Sequence, residues 1–227
     1  KKLYDNLLRC RLIAEYLFDK TSFLIKITSM VYRPFGKIDL RISQLGVGCM
    51  RLPLLDEKDF KSINEPLATR MIHYAIDNGV NYVDTAYGYH SGVSEIFLGK
   101  VLREGYRNKI CLATKAPVWL VKSKEDPEKY LDEQLGRLQT TVIDMYLLHG
   151  LGKGSWKTVQ EHDVLKFLDT ACKAGKIRYS GFSFHDDFSL FKEIVDAYPW
   201  TLCQIHLNYV DDHYQAGIEG LEYAHKK

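Results

Sequence analysis

The stretch GVNYVDTAYGYHSGVSEIFLGKVL, residues 79–102, reads as one strand–loop–helix unit. Residues 81–86, NYVDTA, are short, apolar and aromatic; the Gly-flanked loop AYGYHSG follows, and a helical stretch runs on toward Gly105. Asp84 stands at the strand's end and Tyr89 just beyond it, so ionisable groups fall where the strand gives way to its loop. In a chain that alternates strand and helix, the loops after the strands gather on one face, which makes that face the place to look for chemistry.

Working outward, the same unit recurs. Strands read as LGVGCM (45–50), NYVDTA (81–86), KICLATKA (109–116), IDMYLLH (143–149), IRYSGFSF (177–184) and LCQIHLNY (202–209). Their apolar runs are nearly continuous rather than alternating, as expected of strands covered on both faces. Between them, Leu131, Leu135 and Leu138 recur at helical spacing, as do Val164, Phe167, Leu168 and Ala171. Gly79, Gly105 and Gly175 follow helical stretches and suit left-handed C-caps. Right-handed crossovers of this kind build either a doubly wound sheet or a closed barrel. The first strand is followed by GVGCMRLP (46–53), which lacks the third glycine of a dinucleotide-binding turn and ends in a proline before any helix starts.

The expectation is therefore a TIM (β/α)₈ barrel of which about six β/α units are present. A short hairpin, Tyr32–Phe35 with Leu40–Ser43 around a turn at Gly36–Asp39, precedes it and would plug the barrel's bottom. Residues 1–29 carry six Lys/Arg against three Asp/Glu and read as an N-terminal extension outside the barrel, leaving 30–227 as the barrel domain. With six units of eight, the chain is expected to be truncated at its C-terminus. Its sixth strand is then an unprotected edge, prone to pair with other chains.

Composition narrows the classes further. At 227 residues and 46% hydrophobic the chain can bury one sizeable core. A net charge of +2 gives no basic field to suggest nucleic acid as a partner. No apolar run approaches the ~20 residues of a membrane helix, and the charge-interrupted N-terminus is a poor signal peptide, so the cytoplasm is the default location. The five cysteines are scattered without a CxxC pair, which suits neither a disulfide framework nor a zinc site; no metal ligands are expected.

Parity along the strands brings the polar residues together. Asp84, Lys115 and His149 each end a strand in phase with residues two and four back: Tyr82; Ala113 and Cys111; Leu147 and Met145. Side chains two apart share a face, so all three can point into the barrel mouth, with Tyr89 just beyond. Taken singly, each has a bland reading: Lys115 in an ion-pair network, Asp84 as a helix cap, His149 as a satisfied polar group. Together they make a constellation: Asp84 as counter-charge to Lys115, and Lys115 favouring the phenolate of Tyr89 so that it can serve as a proton donor. A neutral His149 can orient a substrate oxygen. Such a set would protonate a carbonyl oxygen while a reduced nicotinamide or flavin delivers hydride to its carbon.

Residues 79–102 resemble the signature of the aldo-keto reductases, LATKAP (112–117) their catalytic-lysine strand and IDMYLLHG (143–150) their catalytic-histidine strand. GKIRYSGFS and CQIHLNY resemble the next two, and the likeness runs from about Tyr32 to the end. It implies an NAD(P)H-dependent oxidoreductase that reduces a small-molecule aldehyde or ketone, or runs the reverse reaction, with NADP preferred. Tyr89 would be the general acid, Lys115 its partner, Asp84 the counter-ion and His149 the carbonyl orienter. Ser183 and Gln204 match residues that hold the nicotinamide carboxamide, and Gly79, Asp144 and Gly181 match structural positions. The family usually has Asn directly after that serine; this chain has Phe184 and then His185, a candidate substitute. The branch it most resembles often adds a C-terminal iron–sulfur segment. Two other functions stay open on the same fold: a Schiff-base aldolase using Lys115, and a non-catalytic nucleotide-binding regulatory subunit.

Overall fold

The computed structural model describes residues 30–227, so the expected extension over 1–29 lies outside the described residues. The chain opens with the hairpin: β1 (Tyr32–Pro34) and β2 (Arg41–Ser43) pair antiparallel, Tyr32 opposite Ser43. Six parallel strands follow in chain order: β3 (Val47–Gly48), β4 (Tyr82–Asp84), β5 (Cys111–Ala116), β6 (Ile143–Leu151), β7 (Ile177–Phe184) and β8 (Leu202–Ile205). Helices α1 (Glu65–Asp77), α2 (Ser94–Val101), α3 (Asp126–Leu138), α4 (Lys153–Glu161), α5 (Val164–Lys173), α6 (Phe188–Ala197) and α7 (Gly217–Lys226) alternate with them. These are six consecutive units of a (β/α) barrel, curled into a half-barrel whose described edges are β3 and β8.

Two apolar layers explain why the strands are apolar on both faces. On the inner face, Cys111, Ala113, Met145 and Leu147 pack with Tyr82, Tyr179 and Leu202, and the hairpin supplies Phe35, Ile38, Leu40 and Ile42 to the same cluster. The hairpin is thus the plug that its sequence suggested. On the outer face, Leu112, Tyr146, Leu148, Phe182 and Phe184 meet Ile72, Leu98, Leu131, Leu168 and Phe191 from the helices. Leu131 and Leu138 of α3, and Val164, Leu168 and Ala171 of α5, are buried as their spacing requires.

The strand ends differ from the expectation in instructive ways. The first strand shortens to two residues because Cys49–Arg51 coil into a 3₁₀ turn. The last stops at Ile205, and its apolar continuation forms a loop. The fourth runs past His149 to Leu151. Helix α4 has no counterpart in the apolar pattern because it buries only Trp156 and Val159. Gly79, Gly105 and Gly175 do adopt left-handed backbone, at φ 97°, 87° and 72°. Cys49, Cys111, Cys172 and Cys203 are free thiols, and burial pushes those of Cys49 and Cys111 up to about 12, which keeps them protonated and inert.

Gly181 sets the contact between β7 and β8, since a Cβ there would lie 2.5 Å from Leu202 Cδ2 and 2.6 Å from the Leu202 carbonyl oxygen. The carbonyl cannot swing aside without disturbing the Gly181–Leu202 pairing. Gly181→Ala is therefore expected to cost about 1–3 kcal/mol of stability, the usual range for overpacking, read as a lowered urea midpoint with an unchanged m-value.

Candidate active site

The centre of the site is the ammonium of Lys115, at the C-terminal end of β5 and only 1% exposed. Nζ donates to both carboxylate oxygens of Asp84 at 2.7 Å, to the backbone carbonyl of Thr85 at 2.8 Å, and to the phenol oxygen of Tyr89 at 3.1 Å. The lysine reaches these partners because β4 and β5 pair in parallel, Asp84 beside Ala113, so that Lys115 sits one inward position above the carboxylate. Burial pushes the Asp84 carboxyl upward; the Lys115 charge and its hydrogen bonds to the carboxylate oppose that push.

His149 faces Tyr89 across the mouth, ring centroids 5.7 Å apart and nearly perpendicular. Its place depends on a feature invisible in the apolar pattern. Leu148 pairs with Phe182 and Leu151 with Phe184, so two residues of β6 oppose one of β7. This β-bulge carries His149 and Gly150, the latter at φ 63°, and bulges re-aim side chains in this way. Ser183, the residue opposite, accepts the Gly150 N–H on Oγ at 2.7 Å, which pins the bulge and leaves the serine hydroxyl hydrogen free to donate. Burial, the Lys115 charge and His185 together lower His149 from the usual imidazole value to about 4, so it is neutral at physiological pH. Its Nδ1 is buried without a protein partner, and it is the one such side-chain atom among the described residues.

Ser183 and Gln204 are register partners on β7 and β8. They share a strand face with Gly181 and Leu202, so both address the mouth. Phe184 falls on the opposite parity and packs outward against Phe182 and Phe191. His185 lies at the rim, exposed, with Nδ1 3.2 Å from Oε1 of Gln215.

Two further residues belong to the mouth that sequence reasoning did not single out. Trp119, 53% exposed in the short 3₁₀ turn after β5, sets its ring 5.2 Å from His149. His90, next to Tyr89, is buried and bonded to a different loop. Neither falls at a strand end, so strand parity carries no signal for them. Behind β5, the buried Glu95 accepts from Thr114 and Gln134 at 2.6 Å, and Gln134 also donates to the Lys115 carbonyl at 3.1 Å, bracing the lysine's backbone from the helix side. Among the described residues, no cluster of three metal-ligating side chains occurs, and no helix is long and apolar enough to cross a membrane.

A profile of the aldo/keto reductase family matches residues 44–227. The chain belongs to that family. It is 28% identical over 186 residues to an uncharacterized oxidoreductase, YrpG, of Bacillus subtilis, a match covering 74% of this chain and 53% of that protein. It is 33% identical over 165 residues to the 6-dehydroglucose reductase of Novosphingobium aromaticivorans, covering 67% and 51%. Among solved structures, the holo form of an aldo-keto reductase from Bacillus halodurans superposes with a TM-score of 0.64 at 30% identity, over 78% of this chain and 57% of that one. The chain thus spans about half the length of the curated relatives it matches. Membership gives it the aldo/keto reductase fold.

The depressed His149 value has a sign that can be tested. Between the ordinary imidazole value of 6.5 and about 4, the unfolded chain holds the proton and the folded one does not. Stability therefore falls as pH falls through that window. Imidazole NMR should show His149 neutral down to about pH 4, and His149→Gln should remove its share of the slope in an unfolding series run from pH 7 to 4.

Proposed function

We propose that this protein reduces an aldehyde or ketone to the alcohol at the expense of a reduced nicotinamide, or runs the reverse oxidation, with Tyr89 as general acid. The observation that supports the reading best is the fully satisfied Lys115 ammonium, 2.7 Å from Asp84 and 3.1 Å from the Tyr89 oxygen. As the phenol gives its proton to the carbonyl oxygen, negative charge develops on the tyrosine oxygen, and the adjacent Nζ–H stabilises it. Asp84 keeps the lysine charged in a buried place. Neutral His149, edge-on to the phenol, has a nitrogen to donate to the same carbonyl oxygen and so fix its approach. No side chain can donate hydride; a bound reduced nicotinamide supplies it to the carbonyl carbon.

The residues present fit such a cofactor. The Ser183 hydroxyl and the Gln204 amide, side by side at the mouth, offer a donor and a donor–acceptor pair suited to a planar carboxamide. The orphaned His149 Nδ1 is a buried polar atom that a bound group would satisfy. With His185 turned to Gln215, Ser183 and Gln204 are the better candidates. The preference for NADP over NAD, and any iron–sulfur segment, rest on the family likeness alone.

A Schiff-base aldolase is disfavoured on the same geometry. That role needs an uncharged amine with a free lone pair, whereas Lys115 is surrounded by four acceptor oxygens. A regulatory subunit that binds nucleotide would retain cofactor affinity without turnover.

With NADPH and 4-nitrobenzaldehyde as probes, Tyr89→Phe in the intact protein should lower kcat by ~10²-fold or more, the usual reach of general acid catalysis. NADPH affinity, read from nicotinamide fluorescence, should stay near that of the parent. Near-parental turnover would remove Tyr89 from the role. Lys115→Met and Asp84→Asn should each depress kcat, and the double variant should lose less than the two together, because they act through one pair. Independent losses would mean that they do not.

A further inference from the structure

We propose that His90 is the positioning residue for Tyr89: its imidazole clasps the tyrosine's loop to the loop after β3 and so holds the phenol within reach of Lys115. The inference rests on the reading of Tyr89 as the general acid. Tyr89 stands on a loop, where no strand partner fixes it. Its own backbone is tied only locally, its N–H donating to the Ala86 carbonyl at 3.1 Å. Immediately after it come three residues in left-handed backbone, His90 at φ 51°, Ser91 at 52° and Gly92 at 92°. Only the last is the residue that takes this conformation freely. Something outside the loop must hold the turn.

His90 supplies that hold. It is 5% exposed, and both ring nitrogens are used. Nε2 accepts the Leu52 N–H at 3.2 Å, and Nδ1 donates to the Phe60 carbonyl at 2.9 Å. An amide N–H can only donate and a carbonyl can only accept, so the two contacts fix a neutral ring with its hydrogen on Nδ1. A proton relay is thereby excluded, since neither nitrogen faces a group that exchanges protons.

The segment it grips is itself firm. Leu54 bridges to Ile63, the Leu55 N–H donates to the Ser62 carbonyl at 2.6 Å, and the Asn64 N–H to the Pro53 carbonyl at 2.8 Å. Asn64 then caps α1 by accepting the Leu67 N–H. The imidazole therefore connects the residue after Tyr89 to a closed loop anchored on a helix. Downstream, Ser94 reaches Thr85 at 2.9 Å and the Cys49 carbonyl at 3.4 Å, which secures the far end of the turn. A phenol that must meet Lys115 at 3.1 Å is sensitive to small displacements, because misplacement by about 1 Å can cost ~10²-fold in rate.

Two substitutions separate this role from a merely structural one. His90→Gly removes both contacts while accepting the left-handed backbone, so that strain does not enter. His90→Asn also tolerates that backbone and keeps an amide donor near the Nδ1 position, toward Phe60. In the intact protein, with NADPH and 4-nitrobenzaldehyde, His90→Gly should lower kcat by roughly 10–100-fold with NADPH affinity unchanged. His90→Asn should recover part of that loss while the Leu52 amide, released from Nε2, exchanges its hydrogen faster than in the parent. Placed on Tyr89→Phe, either change should cost nothing more in kcat, because the group it positions is gone. The proposal is overturned if folded His90→Gly keeps parental kcat, or if either variant loses as much on Tyr89→Phe as on the parent. Should His90→Gly fail to fold, His90→Asn on the two backgrounds decides alone. A Tyr89→Phe protein that turns over normally would instead sink the general-acid reading, and His90's role with it; a slow Tyr89→Phe with an indifferent His90→Gly sinks only the clasp.

Discussion

A lysine ammonium with almost no exposure cannot sit at the end of a buried strand unless its charge and all its donors are answered, and Lys115 is answered by Asp84, Thr85 and Tyr89 at once. Leaving either member of such a pair alone costs on the order of 3–5 kcal/mol. The pair therefore constrains its surroundings: β4 and β5 must keep the register that sets Asp84 beside Ala113, and the loop after β4 must return so that Tyr89 meets the ammonium. The same contact that stabilises the charge delivers the phenol to the mouth. Fold and candidate chemistry share one set of hydrogen bonds.

Support for that centre comes from both faces of the sheet. Inside, the hairpin fills the bottom of the half-barrel with Phe35, Ile38, Leu40 and Ile42, so the polar groups are confined to the opposite end. Outside, the Glu95, Thr114 and Gln134 network reaches the Lys115 carbonyl and is closed by Tyr146, whose hydroxyl donates to Gln134 at 2.8 Å. Burial pushes the Glu95 carboxyl upward, and its hydrogen bonds to Thr114 and Gln134 and the charge of Arg137 oppose that push. A buried polar network of this kind is tolerable only because its members are partnered. It ties the backbone of β5 at Lys115 to the helix layer behind it.

The mouth itself is assembled from loops and one irregular strand. His149 arrives on a bulge pinned by Ser183, Tyr89 on a left-handed turn gripped by His90, and Trp119 on a short turn after β5. Irregular backbone here gives each side chain an angle that a regular strand end would not. Regular secondary structure brings the groups near one another; the exceptions to it aim them.

Much of this was legible in the sequence. Period-two parity is a property of an extended chain by itself, so Asp84, Lys115 and His149 could be assigned to one face without knowing what covered them. Apolar continuity marked strands buried twice, and the motif over residues 79–102 carried the family likeness. The tertiary structure alone decided where strands stop, because pairing ends them: β3 shrinks to Val47–Gly48 and β8 to Leu202–Ile205. It alone produced the bulge at His149, since a bulge is a mismatch between two strands and exists only once β6 lies against β7. It gave Ser183 its bond to Gly150, and it gave His90, a lone polar residue in a loop with no period to report it, two partners 30 and 38 residues away in the chain. Patterns along a chain record which face a residue occupies; the partner it meets there depends on segments that only folding brings alongside.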